Sequence, residues 1–227
     1  MCGRYTLAIH PDALQAAFSL ESVNVETFRY NIAPTQLAPV ILSSMPRRLT
    51  LARWGVLPPW ARSGKRAAPL FNARSETVHQ KRPFQKLLPS HRCLVPCTGF
   101  FEWKHHGKKS TPVYIRKSDR PVLAMAGLWT EGMSTDEAAG PRFTILTEAA
   151  DETISTIHDR MPVFLDQKQQ RDWLDDASCD DRWIAEVTKA HQKSAWEMIE
   201  VAPLVNSPHI DDDRCIAPAS APQLQLF

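Results

Sequence analysis

The chain is short of glycine and of cysteine. Its 227 residues hold 8 glycines against 18 prolines. That balance favours rigid loops and short strands over long helices, because proline fixes φ and removes a backbone donor. The five cysteines, Cys2, Cys93, Cys97, Cys179 and Cys215, lack the spacing of a disulfide framework, and a reducing cytoplasm suits them. No apolar run approaches the ~18 residues of a membrane span, and no basic segment followed by an apolar one opens the chain as a secretory leader does. The formal net charge is only +2, so any polyanion site must be a local patch rather than a global excess. The Gly-rich phosphate loop, G-x-S-x-G and H-E-x-x-H are all missing. His91, Cys93 and Cys97 have no second ligand pair at zinc-site distance, so structural cysteines are the better reading and no metal or cofactor is expected.

What is present begins at residue 2. Removal of Met1, usual ahead of a small residue, leaves Cys2 with a free α-amine and a thiol on one residue. Reference pKa values of about 7.7–8.0 and about 8.5 leave part of each group nucleophilic at neutral pH. The amine condenses with an aldehyde to an imine, and the tethered thiol closes a five-membered thiazolidine at high effective molarity. The alternative is that Cys2 merely follows the start codon.

Length and a hydrophobic content of 43% suit one soluble domain over 1–227 that needs no disulfide staples, with 218–227 a loose, Pro-rich tail. Strands are expected at Arg4–Leu7, Pro39–Leu42, Leu49–Trp54, Cys93–Pro96, Val122–Trp129, Phe143–Thr147 and Glu197–Val201, with another short one at Val205. Phe100–Lys104 and Thr111–Ile115 flank a hairpin turn at His105-His106-Gly107. Short helices are expected after His10-Pro11-Asp12, over Gln80–Leu88, near Asp151–Ile157, and over Lys168–Leu174 and Trp183–Ala190. Phe28–Pro34 and Ser134–Pro141 read as loops. Many short strands with few peripheral helices make an α+β fold.

Four polar residues have settings that suit chemistry. Asn72, in Phe71-Asn72-Ala73-Arg74, offers an amide to hold Cys2, and Arg74 beside it can face an anion. Glu102 lies within Phe100-Phe101-Glu102-Trp103. In a strand it shares a face with Phe100, and an apolar pocket would raise its pKa towards neutrality. His158, in His158-Asp159-Arg160, is the histidine best placed for acid–base work. Each has a plainer reading: Glu102 salt-bridged at the surface to Lys104 or Lys109, His158 capping a helix, Asn72 in a turn, and Trp54, Trp60 and Trp103 in or at the edge of the core.

Seven segments in order, MCGR, RYNIAPTQ (Arg29–Gln36), RWGVLPPW (Arg53–Trp60), FNARSET (Phe71–Thr77), CLVPCTGFFEW (Cys93–Trp103), ILTEAAD (Ile145–Asp151) and IHDRMPVFL (Ile157–Leu165), resemble the SOS-response-associated peptidase (SRAP) family. The resemblance runs from Cys2 to about Asn206. It implies a mainly antiparallel, barrel-like β core and a protein that shields abasic sites in single-stranded DNA. Such proteins act in the DNA damage response through a thiazolidine crosslink from Cys2, with possible lyase activity through the imine. It further implies that Asn72 orients Cys2, that Glu102 assists ring opening and proton transfer, and that His158 is a second acid/base. Arg4, Arg74, Arg160 and Thr147 would hold phosphates, and Pro34, Trp54 and Trp103 would stack on or wedge between bases. Met161 stands where some members carry a second arginine. The chain lacks the long tail of eukaryotic members and looks like the compact bacterial form. A monomer is expected, cytoplasmic and nucleoid-associated when on DNA. "Peptidase" is taken to reflect self-removal of Met1 or an inferred proteolysis, and a general protease is not expected. The competing class is an N-terminal-nucleophile amidohydrolase or peptidase, with the Cys2 thiolate as attacking group and its own amine as base.

Overall fold

A computed structural model describes residues 2–58, 67–107, 109–132, 140–175, 181–190 and 195–219. The strands in chain order are β1 (Tyr5–Ala8), β2 (Phe28–Ile32), β3 (Leu37–Leu42), β4 (Leu49–Trp54), β5 (Asn72–Arg74) and β6 (Arg92–Cys97). They continue with β7 (Gly99–His106), β8 (Lys109–Arg116), β9 (Leu123–Thr130), β10 (Arg142–Ala149), β11 (Arg160–Pro162) and β12 (Glu197–Glu200). Helices α1 (Pro11–Phe18), α2 (Arg82–Gln85), α3 (Gln167–Leu174) and α4 (Asp181–Ala190) are short.

Five strands close a ring. β3 pairs with β4 and with β6, β6 with β9, β9 with β10, and β10 returns to β4, the one parallel contact of the circle. Closure removes the free edges that would expose unpaired backbone donors. Gly127 permits tight approach inside this barrel, since a Cβ there would meet the Cys93 sulfur at 2.8 Å and the Thr144 carbonyl at 2.9 Å. A second sheet, in the order β12-β8-β7-β1-β2, lies beside it, and β5 and β11 extend β10. The protein is α+β, with a mainly antiparallel barrel and short peripheral helices.

Local chemistry explains the helix starts. At α1 the His10 Nδ1 accepts from the Asp12 amide and Pro11 opens the helix. A reciprocal pair of bonds between Asp166 and Gln169 opens α3. Several expectations differ from what is observed, among them the hairpin turn, which begins only at Gly107 because His105 and His106 still pair with Ser110 and Lys109. Phe28–Ile32 is a strand, not a loop, because it pairs antiparallel with β1, and Asp211 Oδ1 accepts the amides of Tyr30 and Asn31 (2.5 and 2.8 Å). Gln80–Leu88 holds only the four-residue α2, whose start is set by Pro83. The Asp151–Ile157 helix is a single 3-10 turn, Ile154–Thr156, with Asp151 accepting the amides of Thr153 and Ile154. Val205 sits in a 3-10 turn, Pro203–Asn206, rather than a strand. Pro218 forms a bridge with Val201, and Ala219 N–H donates to the Glu200 carbonyl, so the first two residues of the expected loose tail are tied to the sheet. Met1, Trp60, Cys179, residues 134–139 of the expected surface loop and the tail from 220 onward lie outside the described residues.

Candidate active site and nucleic-acid interface

The three residues before β1 are held from both sides. β1 runs between β7 and β2, with Tyr5 opposite Phe100 on one neighbour and Ile32 on the other. The Phe101 amide donates to the Arg4 carbonyl at 3.0 Å, which carries the β7 register one residue beyond the strand. Continued by one more pair, that register sets Glu102 across from Gly3, next to Cys2. From the barrel side, Asn72 at the start of β5 donates its amide Nδ2 to the Cys2 carbonyl at 2.9 Å. The Asn72 Oδ1 is buried and has no hydrogen-bond partner among the described residues.

Burial sets the electrostatics. Cys2 is fully buried. That burial, followed by the negative charge of Glu102 and then by Cys97, holds its thiol well above the ordinary cysteine range. Glu102 is 3% exposed, so the surface salt-bridge reading fails; Lys104 faces Glu200 instead, at 3.9 Å. Burial pushes the Glu102 carboxyl up to about 7, opposed by the positive charge at the chain's amino terminus. β7 alternates as a strand must. Phe100 joins the main core, whereas Phe101 and Trp103 pack with Tyr114, Val201 and Val205 in a separate cluster.

His158 precedes β11. Its Nδ1 accepts from the Arg160 amide and lies 3.0 Å from an Asp159 carboxylate oxygen. Its pKa is lowered first by burial and then by the amino-terminal charge, with Asp159 opposing. Asp159 also acts on Glu102 and His105 on His158, so Cys2, Glu102, His158, Asp159 and His105 share one electrostatic neighbourhood. Sequence reading missed Asp159 and His105, because nothing local to a hairpin tip announces what faces it.

The residues expected to touch DNA divide. Arg74 is exposed and has no hydrogen bond or ion pair among the described residues. Arg4 spends its guanidinium on the carbonyls of Val205 (3.2 Å) and Asn206 (3.3 Å). Arg160 grips Glu76 with both terminal nitrogens and donates to the Thr147 carbonyl at 2.6 Å. Trp103 is half-buried, its Nε1 donating to Asn206 Oδ1 at 2.8 Å. Pro34 is half-buried in the turn between β2 and β3. Two do not fit the surface role. Trp54 is 0% exposed, wedged against Tyr5, Phe71 and Phe143 with its Nε1 on the Phe71 carbonyl, so neither ring face is open to a base. Thr147 is equally buried, its hydroxyl turned to the Ala73 carbonyl and Arg160.

RYNIAPTQ has a structural duty that its pattern alone did not disclose. The Asn31 Nδ2 donates to the carbonyls of Val205, Ser207 and Ile210, and Arg29 pairs with Asp211. This strand thereby fastens the segment that Arg4 and Trp103 lean on.

Residues 1–208 match the family described as SOS response associated peptidase (SRAP). The abasic site processing protein YoqW of Bacillus subtilis (strain 168) is 34% identical over 220 residues, covering 92% of this chain and 95% of that one. The abasic site processing protein YedK of Escherichia coli (strain K12) is 36% identical over 149 residues, 64% of each chain. A crystal structure of a protein from Bacteroides thetaiotaomicron superposes with a TM-score of 0.80 at 23% identity, over 96% of this chain and all of that one; that likeness concerns the fold alone. With the family matched across nearly its whole length, this chain belongs to the SOS response associated peptidases.

Proposed function

We propose that the protein captures abasic sites in single-stranded DNA as a covalent thiazolidine on Cys2 and thereby shields them. The observation that carries this reading is the Asn72 amide fixed on the Cys2 carbonyl beside a carboxyl whose pKa is about 7. Relatives named as abasic site processing proteins supply the substrate.

Removal of Met1 creates the Cys2 amine and takes away the residue in front of it. The ring-opened deoxyribose presents an aldehyde at C1′. Glu102, near half-protonation at neutral pH, accepts a proton as the ring opens and returns one as the carbinolamine loses water. The buried thiol is neutral, so its sulfur adds to the imine carbon while its proton passes to the nitrogen. Asn72 holds the Cys2 backbone while these bonds form. His158, largely uncharged, serves as a second acid/base. At the imine stage, loss of a C2′ proton with departure of the 3′ phosphate would give lyase activity. Arg74, Arg160 and Arg4 make the phosphate-facing side, and Trp103 and Pro34 the base-facing side.

The test is a denaturing gel with an oligonucleotide carrying one abasic site, using wild type, Cys2→Ser and Cys2→Ala, with intact mass of the adduct. The expected adduct forms in wild type only, at the mass of protein without Met1 plus DNA minus one water. Absence of an adduct from protein whose Met1 has been removed refutes the reading and directs attention to amide substrates.

A further inference from the structure

Among the described non-glycine residues only Ser19 and Thr35 have positive φ, 51° and 74°. Ser19 is the C-cap of α1, where a left-handed residue is ordinary. Thr35 has no such explanation. It is β-branched, for which this region is a genuine outlier, and glycine or asparagine would hold the same turn at lower cost.

The turn is over-determined by its surroundings. The Thr35 amide donates to the Trp54 carbonyl at 2.9 Å, and the Gln36 amide to the Ala33 carbonyl at 3.2 Å. Gln36 Oε1 accepts from the Ala33 amide at 3.1 Å and from Arg29 at 2.9 Å. The Arg53 Nη1 donates to the Thr35 carbonyl at 2.7 Å. Strain kept by that many restraints is typical of a contact surface rather than of a connector.

Two polar groups at this turn are unspent. Thr35 is exposed, and its hydroxyl has no partner among the described residues. Arg53 has no carboxylate partner among them, and its one hydrogen bond fixes the guanidinium against the turn. The place also matters. The Thr35 amide bonds the carbonyl of Trp54, whose ring packs on Tyr5 and Phe71, three residues after Cys2 and one before Asn72.

We infer that Thr35 and Arg53 form a seat for a backbone phosphodiester of the bound strand, separate from the Arg74–Arg160 side. The inference rests on the single-strand reading above. The Arg53 guanidinium supplies charge-assisted N–H donors, the Thr35 hydroxyl a further donor, and the strained turn fixes their spacing.

The test measures equilibrium binding of undamaged single-stranded DNA across a salt series for wild type, Arg53→Gln, Arg53→Lys and Thr35→Gly. Capture rates on abasic DNA are measured alongside. Arg53→Gln is expected to weaken binding about tenfold and to reduce the slope of log K against log salt by about 0.7. Arg53→Lys restores the slope. Thr35→Gly is expected to weaken binding several-fold with a melting temperature equal to or above wild type, which a merely structural threonine would not do. Wild-type affinity and slope in Arg53→Gln, or wild-type affinity in Thr35→Gly, overturns the seat. Failure of wild type to capture abasic DNA overturns the capture chemistry instead, while binding to the undamaged strand still decides the seat.

Discussion

Replacing Glu102 with Gln should slow the protein and stabilise it at the same time. The carboxyl is buried at 3% exposure and its pKa is pushed up to about 7, chiefly by that burial. In the unfolded chain it returns to an ordinary glutamate value of about 4.3. Between those two values the folded protein holds a proton that the unfolded chain has released, so stability falls as pH rises through the window. Above pH ~7 the full cost is on the order of 3 kcal/mol. Glu102→Gln keeps the size and removes the charge, so at pH 8 it should melt above wild type by roughly 5–10 °C. At pH 4 that advantage should be gone. Capture of abasic DNA should meanwhile drop about 100-fold or more, the scale of a lost general acid–base group. The wild-type rate should bend near pH 7, and the variant should lack that bend. Thermal melts at pH 4, 6 and 8, with single-turnover capture over the same range, measure both effects. A variant less stable than wild type at pH 8, or one that keeps the inflection, refutes the assignment of a strained, proton-exchanging carboxylate.

Asn72→Ala removes the hydrogen bond to the Cys2 carbonyl. It should cost about 1–2 kcal/mol in urea unfolding and slow capture with little change in affinity for undamaged DNA. The two tryptophans should separate cleanly. Trp54→Ala leaves a cavity among Tyr5, Phe71 and Phe143 and should destabilise by ~3–5 kcal/mol. Trp103→Ala should cost far less stability and weaken single-strand binding by about 1–3 kcal/mol if its ring stacks on a base. Asn31→Ala strips donors from three carbonyls and should raise hydrogen exchange across 203–211 at a stability cost of ~1–3 kcal/mol.

Alternation and turn chemistry made most strands legible in the sequence, because their side chains report burial directly. Phe28–Ile32 was not legible. Its outer amides are satisfied by Asp211, some 180 residues on, and no local window contains that partner. The faces of Phe100–Trp103 followed from period two alone. The burial of Glu102 did not, since Lys104 and Lys109 stand close in sequence and only the third dimension sends Lys104 to Glu200. Trp54 illustrates the opposite error. Its base-stacking role was implied by the family resemblance alone, but a strand that closes a barrel turns alternate residues inward, and position 54 is one of those, as the plainer core reading had it.

Under the proposed capture chemistry, the placement of Cys2 explains why the terminus is anchored beside the sheet rather than left to fray. A free amino terminus samples many conformations, and ordering each residue costs about 1–2 kcal/mol. Here that ordering is already done in the folded chain. β7 holds the Arg4 carbonyl, Asn72 holds the Cys2 carbonyl, and β2 pairs with β1 on the other side as far as Tyr5. The lost freedom is offset by hydrogen bonds that exist before substrate arrives, so the proposed imine would need little further ordering to form. The same arrangement explains why β2 must be fastened so far along the chain. If the Asn31 and Asp211 contacts were loosened, the wall beside Cys2 would move with the segment that Arg4 grips. Substitutions at Asn31, remote from the reacting atoms, should then slow capture more than they weaken binding of undamaged DNA.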